Sequence, residues 1–114
     1  MTNPNFMNGV PELLILRLLK EREMYGYELV RAIRAETGDV IRLGEGVVYP
    51  VLHALEREGA LKSRRKTVNG RTRVYYTVTA GGTKRLRVLV GEWGRIADAL
   101  RSLAEEPQGA PRTI

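Results

Sequence analysis

Two runs of β-prone residues flank the dipeptide Asn69-Gly70, and this arrangement constrains the fold more than any other feature of the chain. Asn-Gly is the pair that best adopts the positive φ angles of a two-residue hairpin turn. An alternation of inward and outward residues over the second run predicts a strand with one buried face and one solvent-exposed face. The expected inward residues are Val74, Tyr76 and Val78, and the expected outward residues are Arg73, Tyr75 and Thr77.

Three helical patterns precede the predicted hairpin. Pro11 suits a first helical position, and the leucines after it predict a helix over residues 11–22. After a short break at Tyr25-Gly26, apolar residues at helical spacing predict a second helix that stops at Gly38. A third helix is predicted over residues 45–58. It contains a proline, so that either its regular hydrogen bonding begins late or its first turns are bent.

The order helix, helix, helix, hairpin is that of a winged helix-turn-helix, a mainly α fold with a β-hairpin (α+β). This unit is expected to span residues 9–79, with the third helix in the DNA major groove and the hairpin as the wing. Thr79 is placed to cap a last helix over residues 80–104. Residues 1–8 and 105–114 are expected to be flexible tails.

The positive charge of the chain is concentrated in the predicted hairpin. The net charge of the 114 residues is +6, and the six basic residues between Lys62 and Arg73, where no acidic residue occurs, account for all of it. A cationic segment of this density is typical of a surface that binds a polyanion. The alternative is a hairpin that is basic only for solubility.

The candidate DNA-binding residues lie on the third helix and on the wing. Tyr49 and His53 are four residues apart and therefore share a helix face, from which both can reach phosphates or base edges. The alternative for His53 is an ordinary surface imidazole. A basic ribbon can follow a phosphate backbone or insert an arginine into a narrow minor groove. The full set is Tyr49, His53, Lys62, Arg64, Arg65, Lys66, Arg71 and Arg73.

The composition argues against several other classes of protein. With no cysteine and one histidine, one chain can build neither a Cys/His dyad nor a multi-histidine metal site, so we expect no enzyme, metal or cofactor. No apolar run approaches the roughly 18 residues of a membrane span, and the first residues lack the pattern of a secretory signal. The lack of cysteine fits a reducing cytoplasm.

The last predicted helix carries an apolar stripe that we call the heptad seam. Its members are spaced 3, 4, 3, 4 and 3 residues apart, which is the spacing of a coiled-coil interface. One chain of this size can cover only part of such a stripe, so the sequence predicts a homodimer in which the last helices pair. The heptad seam consists of Leu86, Leu89, Trp93, Ile96, Leu100 and Leu103.

Two motifs make the chain resemble the PadR family of transcriptional regulators. GEGVVYPVLHALEREGAL, at residues 44–61, is similar to the recognition helix of that family, and GRTRVYYTVTAGG, at residues 70–82, is similar to the segment after its wing turn. The Tyr25-Gly26-Tyr27-Glu28-Leu29 run fits a third motif. The resemblance covers about residues 10–104. It implies a dimeric repressor of the short-tailed subfamily, bound to a pseudo-palindromic double-stranded DNA operator.

Two residues depart from the family pattern at the end of the third helix that should face DNA. Gly44 stands where the family usually has a capping serine, and Val47 stands where it usually has a threonine. Both departures remove a hydroxyl that could contact a phosphate. We therefore expect the wing to contribute more of the affinity than is usual in the family. The competing interpretation is a winged-helix module for protein or RNA binding, although Tyr75 and Tyr76 alone offer little stacking surface for RNA.

Trp93 is too large for regular knob-into-hole packing in the heptad seam. Two symmetry-related rings would either stack together or hold the helices apart around a cavity. The chain is similar to the short multidrug-sensing PadR members, which implies that Trp93 stacks on a small planar aromatic effector. Because Arg17 would give such a cavity a basic edge, the sequence predicts a neutral or acidic effector rather than a cation. The candidate effector residues are Leu13, Arg17, Trp93 and Ala97.

Overall fold

A computed structural model describes residues 6–105 and shows an α+β fold, as predicted. Four helices surround a three-stranded antiparallel sheet whose strand order is β1-β3-β2. The predicted tails therefore lie largely outside the described residues. In chain order the elements are α1 (Phe6–Glu21), β1 (Met24–Tyr25), α2 (Gly26–Glu36), α3 (Glu45–Arg57), β2 (Leu61–Val68), β3 (Arg71–Val78) and α4 (Ala80–Ala104).

Helix α1 begins earlier than the sequence indicated. Its first residue is Phe6, so Pro11 lies inside the helix and not at its first position. Residues 6–8, which the sequence assigned to a tail, are thus part of this helix. Proline is best tolerated in the first turn of a helix, where its missing N–H costs no intrahelical hydrogen bond. Because the start of the helix was predicted from this preference, it was placed more than one turn too late.

The hairpin has the predicted turn. Asn69 and Gly70 both adopt positive φ angles, 52° and 76°, and Val68 pairs with Arg71 across the turn. A third strand, β1, was not predicted: Met24 and Tyr25 pair with Tyr76 and Tyr75 of β3. The break between the first two helices is thus an edge strand, which makes β3 the central strand of the sheet.

The predicted two-face alternation of β3 is wrong for two residues. Tyr75 was expected to face solvent but is only 6% exposed, because Tyr25 of β1 stacks edge-on against its ring at 5.4 Å between centroids. Val74 was expected to be buried but is 38% exposed, since it lies in the half of the hairpin that extends towards the turn. Burial along β3 therefore follows what packs against each part of the strand.

The core lies where α1, α2 and α3 meet the inner face of the sheet. Removing its large side chains from water is the main favourable contribution to the folding free energy, at about 25 cal/mol per Å² of apolar surface. Helix α4 adds Leu86 to this core, and Leu89, one turn later, packs against its edge. The fully buried large side chains are Ile15, Leu16, Met24, Leu29, Ile33, Val48, Leu52 and Leu55.

Thr79 caps α4, as predicted, and also joins it to α3. Its hydroxyl oxygen accepts a hydrogen bond from the Gly82 N–H at 3.1 Å and donates to the Gly59 carbonyl at 2.6 Å. Gly59 ends α3 with a φ of 80°, a conformation that favours glycine. Gly82 lies against the backbone of Ala60, where a Cβ would stand 2.1 Å from the carbonyl oxygen. The first turn of α4 is therefore fixed against the end of α3.

Arg85 extends this connection to α1. Its guanidinium forms an ion pair with Glu12 of α1 and a second, 2.8 Å long, with Glu58 at the end of α3. The hydrogen bond to Glu12 is the main cause of a raised pKa for Arg85. Lys20 adds a hydrogen bond to Thr83 at 3.0 Å. Through these contacts α1, α3 and the first turns of α4 hold one another in place.

Candidate nucleic-acid interface

The first turn of α3 is exposed and has no side-chain cap. Gly44 is the N-cap residue, and its carbonyl accepts from the N–H groups of Val47 (3.1 Å) and Val48 (3.0 Å). Regular helical hydrogen bonding therefore begins before Pro50. Because proline has no N–H, its one effect on this bonding is that the Gly46 carbonyl lacks its usual donor. Val47 is solvent-exposed, so this end of the helix offers a methyl surface in place of a hydroxyl.

Tyr49 is less available to a ligand than its predicted role requires. Its ring is half-buried and lies against Gly26 at the start of α2, where a Cβ would be 2.4 Å from the ring. His53, one turn later, is exposed, and its ring centroid lies 6.3 Å from that of Tyr49. Of this predicted pair, His53 is exposed to solvent, while the half-buried ring of Tyr49 packs against Gly26.

Glu56, an exposed residue of α3, forms a bond within the fold. Its carboxylate accepts a hydrogen bond from the Ser63 hydroxyl of β2 at 2.5 Å. Burial, with a contribution from Glu56, raises the pKa of Tyr76 on the adjacent strand. The second half of α3 is thus bonded to the wing through Glu56, while His53 in the same half stays exposed.

A groove of about 370 Å³ separates α3 from the wing. It brings together three of the predicted DNA-binding residues, Tyr49, His53 and Arg73. Val74 also lines it and pairs with Arg65 across the hairpin, so Arg65 occupies the sheet face that carries Val74. The recognition helix and the wing therefore form one continuous surface.

Three of the six wing cations, Arg64, Lys66 and Arg73, contact other side chains of the chain. Arg64 and Lys66 both bond to Glu23, which lies between α1 and β1. The Lys66 ammonium also lies 4.3 Å from the centroid of the Tyr75 ring, and the Arg73 guanidinium lies 4.4 Å from that of the Tyr25 ring. These contacts are of the cation–π type and fix the direction of long side chains.

Glu23 is the acidic residue at the wing that the sequence interpretation missed. Its carboxylate accepts from Arg64 Nε at 3.2 Å, from Arg64 Nη2 at 2.9 Å and from Lys66 Nζ at 2.5 Å. Hydrogen bonds from Arg64 and then Lys66 lower the pKa of Glu23 from 4.5 to about 2, and Glu23 in turn raises the pKa of Arg64. The carboxylate is therefore ionised throughout the neutral pH range.

The other three predicted wing cations point outward. Among the residues that the structure describes, no carboxylate forms an ion pair with Lys62, Arg65 or Arg71. All three side chains are exposed. They are the wing groups that can meet a polyanion without first breaking an internal ion pair.

Helix α2 contributes exposed residues that the sequence interpretation did not include. Tyr27 is half exposed and lines the groove beside Tyr49, and the Arg31 guanidinium lies 5.9 Å from the centroid of its ring. Arg34 and Arg42 are both paired with Asp39. The Tyr27-to-Arg31 spacing of four residues was the available signal, because such residues are neighbours on a helix surface.

The predicted effector residues are only partly brought together. A cavity of about 20 Å³, enough for one water molecule, lies between α1 and α4 and is lined by Leu13, Trp93 and Glu92 among others. Arg17 does not line it and instead pairs with Glu21 at 2.9 Å; Ala97 does not line it either. In this single-chain cavity the charged lining residue is the acidic Glu92, and the basic edge expected from Arg17 stays a prediction for a cavity between two subunits.

The heptad seam is buried at its start and exposed at its end. Leu86 belongs to the core, and Leu89 and Ile96 are half-buried. Trp93 is 37% exposed, Leu100 52% and Leu103 77%. Within one chain, the second half of the stripe thus has little covering it.

No group of three or more potential metal ligands occurs in residues 6–105. Over the same residues, none of the four helices has the length and apolar character needed to cross a membrane.

The family model described as the transcriptional regulator PadR-like family matches residues 15–88. This range contains α2, α3 and the whole wing. Members of this family are transcriptional regulators and not enzymes, which confirms the expectation of a non-catalytic protein.

Similar proteins agree with this match along most of the chain. Transcriptional regulator Rv3488 of Mycobacterium tuberculosis is 33% identical over 91% of this chain and 88% of its own. An uncharacterized protein of Lysinibacillus sphaericus is 30% identical over 88% of this chain and 93% of its own.

Solved structures share the architecture. A transcriptional regulator from Clostridium thermocellum superposes with a TM-score of 0.80 at 27% identity, over 92% of this chain and 100% of its own. A PadR family transcription regulator from Clostridium difficile gives 0.74 at 27% identity, over 85% and 100%. The order of elements, the α3-to-wing groove and these matches agree that the chain belongs to the PadR-like family of transcriptional regulators.

Proposed function

We propose that the protein is a cytoplasmic, homodimeric repressor of the short-tailed type. It binds a pseudo-palindromic operator and is released by a planar aromatic effector between the subunits. The observation that carries the DNA-binding part is the continuous surface formed by α3 and the wing, with exposed cations at Lys62, Arg65 and Arg71. Phosphate contacts from such cations fix the register of a protein on a duplex, and residues at the start of α3 then lie at base edges.

The start of α3 offers few polar groups for base recognition. Gly44, Gly46 and Val47 supply no side-chain donor, and an exposed valine methyl suits contact with a thymine methyl. This supports the proposal that the wing provides an unusually large part of the affinity. It predicts strong salt dependence, because each neutralised phosphate releases bound counterions.

The dimer is proposed to form through the heptad seam of α4. The exposure of Leu100 and Leu103 supports this, because a second α4 packed along the seam would remove both from water. A two-fold axis between the helices would relate two wings and two recognition helices, as a pseudo-palindromic operator requires.

The contacts of α4 with the rest of the chain support control by an effector. Gly82 on Ala60 and Arg85 on Glu58 tie the start of α4 to the end of the recognition helix. A change in the angle between paired α4 helices would therefore move each α3 and wing with it. Effector binding and operator binding would then influence each other by the same factor.

The effector site is proposed to be completed by the second subunit. The cavity beside Trp93 holds only about 20 Å³ in one chain, far less than a planar aromatic molecule needs. Two such cavities facing each other across the two-fold axis would place two tryptophan rings around one ligand. The sequence predicted a neutral or acidic effector; because the charged lining residue is Glu92, a neutral or cationic aromatic effector fits this cavity better than an acidic one.

Binding to the duplex upstream of the protein's own gene tests the proposal. Fluorescence anisotropy is measured against that duplex, an unrelated duplex and a single-stranded RNA over a range of salt. We expect the upstream duplex to bind most tightly, with Arg65→Ala and Arg71→Ala weakening it and reducing the salt slope by roughly 0.9 per lost phosphate contact.

Lys84→Ala is the matched control, since Lys84 is an exposed cation on α4 outside the wing. Near-wild-type affinity of the double wing variant at low salt contradicts the role of the wing. Tighter binding to RNA than to either duplex contradicts the proposed function itself.

A further inference from the structure

One anion lies among the wing cations, and its placement gives it an effect on DNA binding. Glu23 is 41 residues from Arg64 and 43 from Lys66 in the chain, yet it bonds to both. Its side chain is only 22% exposed, which is less than that of either cation. The Glu23 carboxylate is therefore more enclosed than that of Glu21, whose pair with Arg17 is more than half exposed on both sides.

The carboxylate occupies the donors that a phosphate would use. Arg64 gives Nε and Nη2 to the two oxygens of Glu23, the fork geometry with which arginine also binds phosphate. Lys66 gives Nζ to one of the same oxygens, and Tyr75 lies over its ammonium. A DNA phosphate that takes either cation must displace the carboxylate or approach it as a like charge.

We propose that Glu23 is an intramolecular competitor of the DNA phosphates, which binds Arg64 and Lys66 at the base of the wing and lowers the affinity of the protein for any duplex. This rests on the proposed DNA-binding function. Because all duplexes share the phosphate backbone, the competitor acts equally on an operator and on an unrelated sequence. Three exposed wing cations can then bind a phosphate without first breaking an ion pair within the protein: Lys62, Arg65 and Arg71.

If Glu23 instead increased the affinity for DNA, removing its charge would weaken binding and not strengthen it. A carboxylate that only held two long side chains ready for phosphate would increase affinity, because less conformational entropy would be lost on binding. The occupied fork of Arg64 favours competition, since the bonds to Glu23 use the donors themselves. Removing the negative charge therefore distinguishes the two.

The experiment compares Glu23→Gln with Glu21→Gln in the full-length protein. Both variants remove one negative charge, but Glu21 pairs with Arg17 on α1, and within residues 6–105 the wing cations form their ion pairs with Glu23. In anisotropy titrations with the upstream and the unrelated duplex, we expect Glu23→Gln to bind roughly three- to tenfold more tightly at about 0.1 M salt. Its salt slope should be steeper by about one to two units per chain.

The same substitution in an Arg64→Gln, Lys66→Gln background should have no more effect than Glu21→Gln. In the DNA-free protein, NMR titration should place the Glu23 pKa at about 2 and return it towards 4.5 in that background. If Glu23→Gln loses its circular dichroism signal, Glu23→Asp replaces it. The aspartate keeps the charge on a side chain that is one methylene shorter, which should weaken its bonds to Arg64 and Lys66, so this variant should bind DNA more tightly than wild type.

The outcomes separate this inference from the proposed function. A wild-type protein that binds neither duplex contradicts the proposed function. If the wild-type protein binds DNA, but Glu23→Gln binds no more tightly than Glu21→Gln or more weakly than wild type, the inference alone is overturned. A gain that persists without Arg64 and Lys66 also overturns it, because the effect would then be one of net charge.

Discussion

The ring of Tyr49 rests on the backbone of Gly26, so close that a Cβ at position 26 would stand 2.4 Å from two of its ring carbons. The contact joins the first turn of α2 to the first half of α3, the two helices of the helix-turn-helix unit. Gly26 does not need an unusual backbone conformation, as its φ is not positive. It is required because the tyrosine ring occupies the space of a side chain.

Gly26→Ala should therefore displace Tyr49 and destabilise the protein by about 1–3 kcal/mol, the usual cost of overpacking. Chemical denaturation measures this as a lower free energy of unfolding. Gly46→Ala is the matched control, since a Cβ there meets nothing within 4 Å and Gly46 also lies in a helix. This control should be neutral or stabilising by about 0.5–1 kcal/mol. An equal loss in both variants would contradict the packing argument.

Gly82→Ala should be the more damaging glycine substitution. The added Cβ would lie 2.1 Å from the carbonyl oxygen of Ala60, a backbone atom that cannot rotate away. We expect a loss at or above the upper end of about 1–3 kcal/mol, and a lower melting temperature in calorimetry. Gly81→Ala, one residue earlier in the same helix turn, would meet its nearest atom at 3.5 Å and should leave the melting temperature unchanged or raise it. If Gly81→Ala lowered the melting temperature more than Gly82→Ala, the junction between α3 and α4 would not be tightly packed.

The order of elements could be predicted because its signals are local. Asn69-Gly70 fixes the turn by its backbone preference, and Thr79 caps α4 through a bond to an N–H three residues away. Strand β1 could not be predicted in this way. It has two residues, too few to show a period, and its pairing with Tyr75 and Tyr76 spans about fifty positions.

The candidate interface shows the same division. The cationic wing is evident from six basic residues in twelve positions, and a charge count needs no fold. The pairing of Glu23 with the wing is not evident from the sequence. Glu23 belongs to a stretch in which basic and acidic residues nearly balance, and it contacts Arg64 only once the sheet has formed. Arg17 shows a further limit of helix position alone: its position suggested the effector cavity, and within one chain its guanidinium pairs with Glu21 one turn later.

Aspartate at the end of the heptad seam should prevent dimer formation. Leu100→Asp with Leu103→Asp would place two carboxylates where the proposed partner helix packs, and burying unpaired charges is costly. Sedimentation velocity should show a monomer at micromolar concentration with helical content retained, because both residues are exposed within one chain. Val88→Asp is the control, since Val88 is similarly exposed but lies outside the seam spacing and should leave the dimer intact. A double variant that sediments as wild type would contradict pairing through this stripe.

The charge at the Trp93 cavity should determine which planar ligands bind. Glu92 lines this cavity and Arg17 does not, so a planar aromatic cation should quench Trp93 fluorescence at lower concentration than a planar carboxylate of the same size. Trp93 is the only tryptophan, so the signal reports this site alone. Glu92→Gln should reduce the preference for the cation several-fold. Asp98→Asn, an exposed site paired with Arg101 at 3.1 Å, should leave that preference unchanged. Tighter binding of the carboxylate would contradict the acidic edge and restore the expectation drawn from the sequence.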